Sequence, residues 1–125
     1  MKLRRQHVHA IIGPTASGKS TTMRDAAVEY AATGWRVLFV DGEHTEDVLE
    51  RMHTRADEQG TPRVTLLRLP LGGGADVFRA ALPEAQYDVI VVDHPAIFRM
   101  GLFDMTVLAK ERNCVVITSQ QVQTP

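Results

Sequence analysis

The stretch His7-Val8-His9-Ala10-Ile11-Ile12-Gly13-Pro14-Thr15-Ala16-Ser17-Gly18-Lys19-Ser20 decides how this chain folds. Its first part, His7–Ile12, is short and β-branched, and reads as a strand. Its second part meets the pattern G-x-x-x-x-G-K-[ST] at every fixed position, from Gly13 to Ser20. From Gly18 to about Thr33 the sequence reads as a helix. Met23, Ala26, Ala27, Tyr30 and Ala31 fall near one face of it, and Gly34 is fitted to end it. Glycines at both ends of the loop let the backbone curl until successive N–H groups point inward at an anion. The helix behind the loop adds its positive end. Lys19 has the reach for the outer phosphates of a nucleotide, and the Ser20 hydroxyl suits a Mg²⁺ ion. Thr21 is a candidate for the α-phosphate, though capping or solvation explains it equally well.

Outward from this unit the pattern alternates between strand and helix, the signature of an α/β domain with a parallel sheet. Arg36–Val40 reads as a second strand, ended by Asp41-Gly42. Thr45 can cap a helical element with Val48, Leu49 and Met52 on its apolar face, running to about Gln59. Arg63–Leu69 reads as a strand near the sheet edge. Pro70 to Gly74 reads as a flexible joint, and Ala75–Leu82 as a short helix stopped by Pro83. Asp88–Val92 is almost wholly apolar, as a strand covered on both faces must be. Gly101–Arg112 is helical in pattern, Val115–Thr118 is a last buried strand, and Val122–Pro125 is a tail. All crossovers are expected to be right-handed.

The 125 residues suit one domain, 1–125, with no room for a second. A hydrophobic share of 44% and a charged share of 23% argue against disorder and coiled coil. The net charge of −1 excludes a strongly basic nucleic-acid coat but not a local basic patch. Eleven of the fourteen cations are arginine, which suits phosphate contacts. The single Cys114 excludes an internal disulfide and sits in an apolar run, where a buried inert thiol is expected. No apolar run reaches the length of a membrane span, about 18 residues, and Met1–Gln6 with its flank does not read as a signal peptide. The expectation is a cytoplasmic protein without a membrane partner.

Tyr87-Asp88-Val89-Ile90-Val91-Val92-Asp93 is an apolar strand ending in an acid. In open α/β sheets ligands sit outside the carboxyl ends of the strands, where Asp93 can hold a water of a Mg²⁺ shell. Asp88, at the other end, reads as a solvated start. Hydrolysis also needs a group that orients water. Many phosphate-loop ATPases place an acid directly after the strand-end aspartate, but here that residue is His94, before Pro95. Glu43, in Val40-Asp41-Gly42-Glu43-His44, stands at the end of another strand and is the candidate base, with Asp41 as its rival. The plain alternative is that Glu43 only opens the following helix. The five histidines show no metal-ligand spacing, although His44 and His94 both follow strand ends.

Taken together, the sequence resembles the RecA/DnaB-like branch of P-loop ATPases. Four segments carry the likeness in order: GPTASGKST, VLFVDGEHTED, YDVIVVDHPAIF and CVVITSQQV. The resemblance implies a three-layer P-loop NTPase fold, with a mainly parallel five-stranded sheet and helices on both faces. It implies a last strand lying between the phosphate-loop strand and the strand ending at Asp93. For the site it implies nucleotide binding by Gly13, Pro14, Thr15, Ala16, Ser17, Gly18, Lys19, Ser20 and Thr21. Catalysis would fall to Lys19, Glu43 as base and Gln120 as γ-phosphate sensor, with Ser119 beside it, and Mg²⁺ ligation to Ser20 and Asp93.

The implied activity is Mg²⁺-dependent ATP hydrolysis by an oligomer, such as a hexamer, acting on single-stranded DNA or RNA. Members of that family usually continue past the last strand with DNA-binding loops, further strands and an arginine finger, so the expectation for these residues is a minimal ATPase core. Arg99 and Arg112 are the finger candidates. Phe98 and Arg99 either meet nucleic acid or belong to a helix lead-in with Ile97, Phe98 and Phe103 in the core. Arg4, Arg5, Arg51, Arg55, Arg63 and Arg68 form either a basic rim or a solvated face. Two other activities fit the same phosphate loop. One is a nucleoside or nucleotide kinase like thymidine kinase, against which stands the lack of a cysteine zinc lobe. The other is a nucleotide-gated interaction module with little turnover.

Overall fold

A computed structural model describes residues 6–13, 19–41, 50, 54, 57–58, 64–69, 72–93 and 98–121. Its strands are β1 (Val8–Gly13), β2 (Val37–Asp41), β3 (Thr65–Arg68), β4 (Val89–Val92) and β5 (Val115–Gln121). Its helices are α1 (Lys19–Ala32), α2 (Gly74–Ala81) and α3 (Leu102–Arg112). Positions 50, 54, 57 and 58, within the helix expected from Thr45 to Gln59, are helical. The five strands form one sheet in the order β1-β5-β4-β2-β3, and every pairing is parallel. β5 therefore lies between β1 and β4, as the resemblance implies, and β3 is at an edge, as its flanking arginines suggest.

Strand alternation sorts the core into two clusters, one on each face of the sheet. On one face, Val37, Phe39, Val89, Val91, Val115 and Ile117 pack under Met23, Ala27, Val28 and Ala31 of α1. On the other, Leu38, Val40, Ile90, Val92 and Val116 pack under Phe78 and Leu82 and under Met105, Leu108 and Ala109 of α3. The result is three layers, with the sheet in the middle. β4 is buried at all four positions, which is why its sequence is an unbroken β-branched run rather than an alternating one. Cys114 is fully buried in the α3 cluster.

Helix α1 ends as its sequence dictates. Gly34 has φ +94°, the Gly34 N–H donates to Ala31 O at 3.0 Å and the Trp35 N–H to Tyr30 O at 3.2 Å. These two bonds close a Schellman turn, and the apolar contact that accompanies it is the stack of Tyr30 on Trp35, with ring centres 5.8 Å apart. An added Cβ at Gly34 would meet no other atom, so a substitution is penalised by backbone strain alone. Gly34→Ala is therefore expected to cost about 1 kcal/mol and to lower Tm by a few degrees, with Gly34→Asn losing less. Thermal melts followed by circular dichroism check this. α3 ends in the same way, with Asn113 as the left-handed residue (φ 47°) and the Cys114 N–H donating to Ala109 O.

The amino-terminal edge of the sheet is tied down by polar contacts. Asp88, half-buried at the start of β4, accepts the Arg36 N–H on Oδ2 at 2.8 Å, and the Arg36 carbonyl accepts the N–H groups of Asp88 and Val89. β2 begins at Val37 rather than Arg36. The Arg36 guanidinium lies 5.4 Å from the centre of the Tyr87 ring. Arg112 donates from Nη1 to Pro83 O at 2.7 Å, and its own carbonyl accepts Gln86 Nε2 at 2.7 Å. It is thus engaged within its own chain, at the end of the sheet away from Asp93, and is a brace rather than a free finger.

Other boundaries shift for local reasons. α2 stops at Ala81, and Leu82 is extended (φ −68°, ψ 139°), because the residue before a proline is pushed out of the helical region. β5 runs to Gln121 instead of Thr118, because β1 continues to Gly13 and offers a ladder partner: Ile11, Ile12 and Gly13 pair with Ser119, Gln120 and Gln121. Phe98 is core, 2% exposed and 5.4 Å from the Phe78 ring, so it does not present itself to nucleic acid. Phe103 does the opposite of what its apolar character suggests and stands 79% exposed on α3.

Candidate functional site

Because all five strands are parallel, their carboxyl ends share one edge, and the polar candidates collect there. β1 ends at Gly13, β2 at Asp41, and Asp93 is the first residue past β4. Lys19, Ser20 and Thr21 are the first residues of α1, so the helix opens at this same edge, five residues after β1. The first turn of α1 carries no acidic residue. The positive dipole end of the helix is therefore not offset by an acidic side chain of its own first turn.

Asp93 is 1% exposed, and its N–H reaches Val40 O at 3.4 Å. Val89 and Val91 belong to the α1 face, and the two-residue period carries Asp93 to that face as well. The same count along β5, from Val115 and Ile117, brings Ser119 there. The two side chains meet: Ser119 Oγ donates to Asp93 Oδ1 at 3.5 Å. Thr118, on the opposite face, donates from Oγ1 to Val92 O at 3.0 Å. Asp93, Thr118 and Ser119 are the buried polar residues among those described, and all three lie at the edge where α1 begins. Burying a carboxylate is costly unless hydrogen bonds or charge offset it, so its placement here rather than on the surface is chemically significant.

The register also locates the loop. Asp93 is level with Ser119, since Val92 pairs with Thr118, and Ser119 is level with Ile11. Gly13 thus stands two residues beyond Asp93 along the strand direction, about 7 Å, and two strands across, about 10 Å. Pro14 to Gly18 lie outside the described residues, as do Glu43, His44, His94 and the rim positions Arg4, Arg5, Arg51, Arg55 and Arg63. Gln120 is placed by its backbone in β5, paired with Ile12. Arg99 is exposed in a left-handed conformation (φ 56°), with its Nε 3.7 Å from where a Cβ on Gly72 would lie. Sequence reading gave Ser119 no role of its own and passed over Thr118. Counting the alternation onward from Val115 would have flagged Ser119.

His9 adds a separate polar feature. It sits on β1 beside Ile117, and its Nε2 is buried without a hydrogen-bond partner. Burial, and then the nearby His7, hold its pKa below the ordinary histidine value, so its ring is neutral at pH 7.

A carboxylate and a serine hydroxyl are hard oxygen donors, the set that Mg²⁺ prefers. The buried acid on the α1 face, with Ser20 opening α1 at the same edge, fits such an ion. Among the described residues no cluster of three or more His, Cys, Asp or Glu side chains forms a metal-binding group of its own. No helix among them is long and apolar enough to cross a membrane.

No known family's sequence profile matches the chain, and no curated protein matches it in sequence.

Proposed function

We propose that the chain is a Mg²⁺-dependent nucleoside triphosphatase that uses ATP, of the RecA/DnaB-like kind, with the phosphates held by residues 13–20. One observation carries the reading. The G-x-x-x-x-G-K-S segment starts on the last residue of β1 and ends on the first turn of α1, and a buried aspartate lies on the sheet face that α1 covers. The position of β5 between β1 and β4 agrees with that family.

In this reading the loop amides and Lys19 bind and orient the β- and γ-phosphates. Ser20 and Asp93 would hold Mg²⁺, which when bound offsets phosphate charge. Glu43 accepts a proton from the attacking water, and Gln120 follows the state of the γ-phosphate. Ser119 keeps the Asp93 carboxylate in place by donating to Oδ1. The protein works as an oligomer, and its turnover is coupled to single-stranded DNA or RNA.

The test is phosphate release with Mg-ATP, with and without single-stranded polynucleotide, for wild type and Glu43→Gln. Turnover is expected to rise with polynucleotide. Glu43→Gln is expected to keep nucleotide affinity and lose about 100-fold or more in turnover, as when a positioned base is removed. Normal turnover in Glu43→Gln transfers that role to Asp41. Binding with negligible release by wild type under every condition favours a nucleotide-gated module, and transfer of phosphate to a nucleoside favours a kinase.

A further inference from the structure

Thr118 sets a hydroxyl in a row of aliphatic side chains. Across the sheet it is level with Val92 of β4, and Val92 is level with Val40 of β2. All three are fully buried. Val40, Val92 and, two residues earlier on β5, Val116 belong to the apolar cluster under α2 and α3, and alternation puts Thr118 on that same side. A valine would fill its place with nearly the same shape, whereas a buried hydroxyl is costly without a hydrogen-bond partner. The Thr118 hydroxyl has one: Oγ1 donates to Val92 O at 3.0 Å. That carbonyl belongs to the peptide unit joining Val92 to Asp93. The other polar group of the unit, the Asp93 N–H, reaches Val40 O on β2 at 3.4 Å. The unit is planar, so holding both its groups constrains the direction in which the Asp93 side chain leaves the strand. It is held from both neighbouring strands, and the bond from Thr118 is the shorter one. Ser119, the next residue of β5, meets the Asp93 carboxylate on the other face of the sheet. One strand thus grips the backbone and the side chain of the same acid from opposite faces.

We infer that Thr118 is a positioning residue for Asp93: through the Val92 carbonyl, its hydroxyl sets the direction from which the Asp93 carboxylate meets a cation. This role rests on the nucleotide reading above, in which Asp93 helps to hold Mg²⁺.

The test uses the whole chain loaded with a nonhydrolysable ATP analogue, and reads the Mg²⁺ concentration that half-saturates the shift of the backbone amide resonance of residue 93. Thr118→Val keeps the volume and loses the hydroxyl, and is expected to raise that concentration about fivefold, the weight of one hydrogen bond. Thr118→Ser keeps the hydroxyl and loses a methyl group, and should stay within about twofold of wild type. Thr118→Ala lacks the hydroxyl without filling the space, and is expected to move with Thr118→Val. Agreement between two variants of different size separates the hydroxyl from packing, and circular dichroism confirms that each is folded. If Thr118→Val and Thr118→Ala saturate at the wild-type concentration while Asp93→Asn is displaced, the inference is overturned and the nucleotide reading stands. A wild-type resonance that Mg²⁺ leaves unmoved, or an Asp93→Asn chain that saturates where wild type does, overturns both.

Discussion

Lys19→Ala is expected to weaken Mg-ATP binding by about 10- to 100-fold, the loss of a charge-assisted contact worth about 1.5–3 kcal/mol. Turnover should fall further, by about 1,000-fold, because the same ammonium then no longer offsets charge that grows on the transferring phosphoryl group. The fold should not suffer, since Lys19 is the first residue of α1 and alanine is a better helix former. A melt superimposable on wild type, beside calorimetric loss of nucleotide affinity, separates a binding defect from a folding one. Unchanged affinity would remove Lys19 from the site and with it the reason for reading residues 13–20 as a phosphate cradle.

Asp93→Asn is the second large effect. The substitution preserves size, and the amide oxygen can still accept from Ser119 Oγ, which lies 3.5 Å from Oδ1 in the parent. The buried position, 1% exposed, therefore loses charge but not packing. Nucleotide without Mg²⁺ should bind about as well as before. The Mg²⁺ concentration for half-maximal turnover should rise by about tenfold or more, and maximal turnover should fall by about 100- to 1,000-fold. Mg²⁺ titrations of phosphate release give both values. A purely structural role for Asp93 would show instead as a lowered Tm with an unchanged Mg²⁺ profile.

Much of this architecture could be read from residue order. β4 announced itself as a doubly covered strand through Val89-Ile90-Val91-Val92, and Gly34 ended α1 where a left-handed residue was required. The edge position of β3 followed from its arginines. Other features depended on tertiary partners that a single segment does not display. β5 was cut short at Thr118 because Ser119-Gln120-Gln121 looks like a polar loop, yet the backbone of Ile11–Gly13 continues the ladder beside it. The bond that Asp88 accepts was not legible either, because its donor, the Arg36 N–H, lies 52 positions earlier in the chain. Phe103 looked like core by composition, but the sheet-facing side of α3 was already filled by Met105, Leu108 and Ala109. At the site, the motif marked Gly13, Lys19 and Ser20, and the strand ending marked Asp93. That Asp93 and Ser119 share a face with α1 emerged only once register and alternation were fixed together.

The most direct test of the central claim is a titration of the isotopically labelled chain with Mg-ATP, read on backbone amide resonances. The largest shifts are expected on the amides of residues 13–20, with smaller ones at Asp93 and Ser119, and Lys19→Ala is expected to weaken the saturation curve. Saturable shifts centred elsewhere, with the amides of 13–20 unmoved, would contradict that claim.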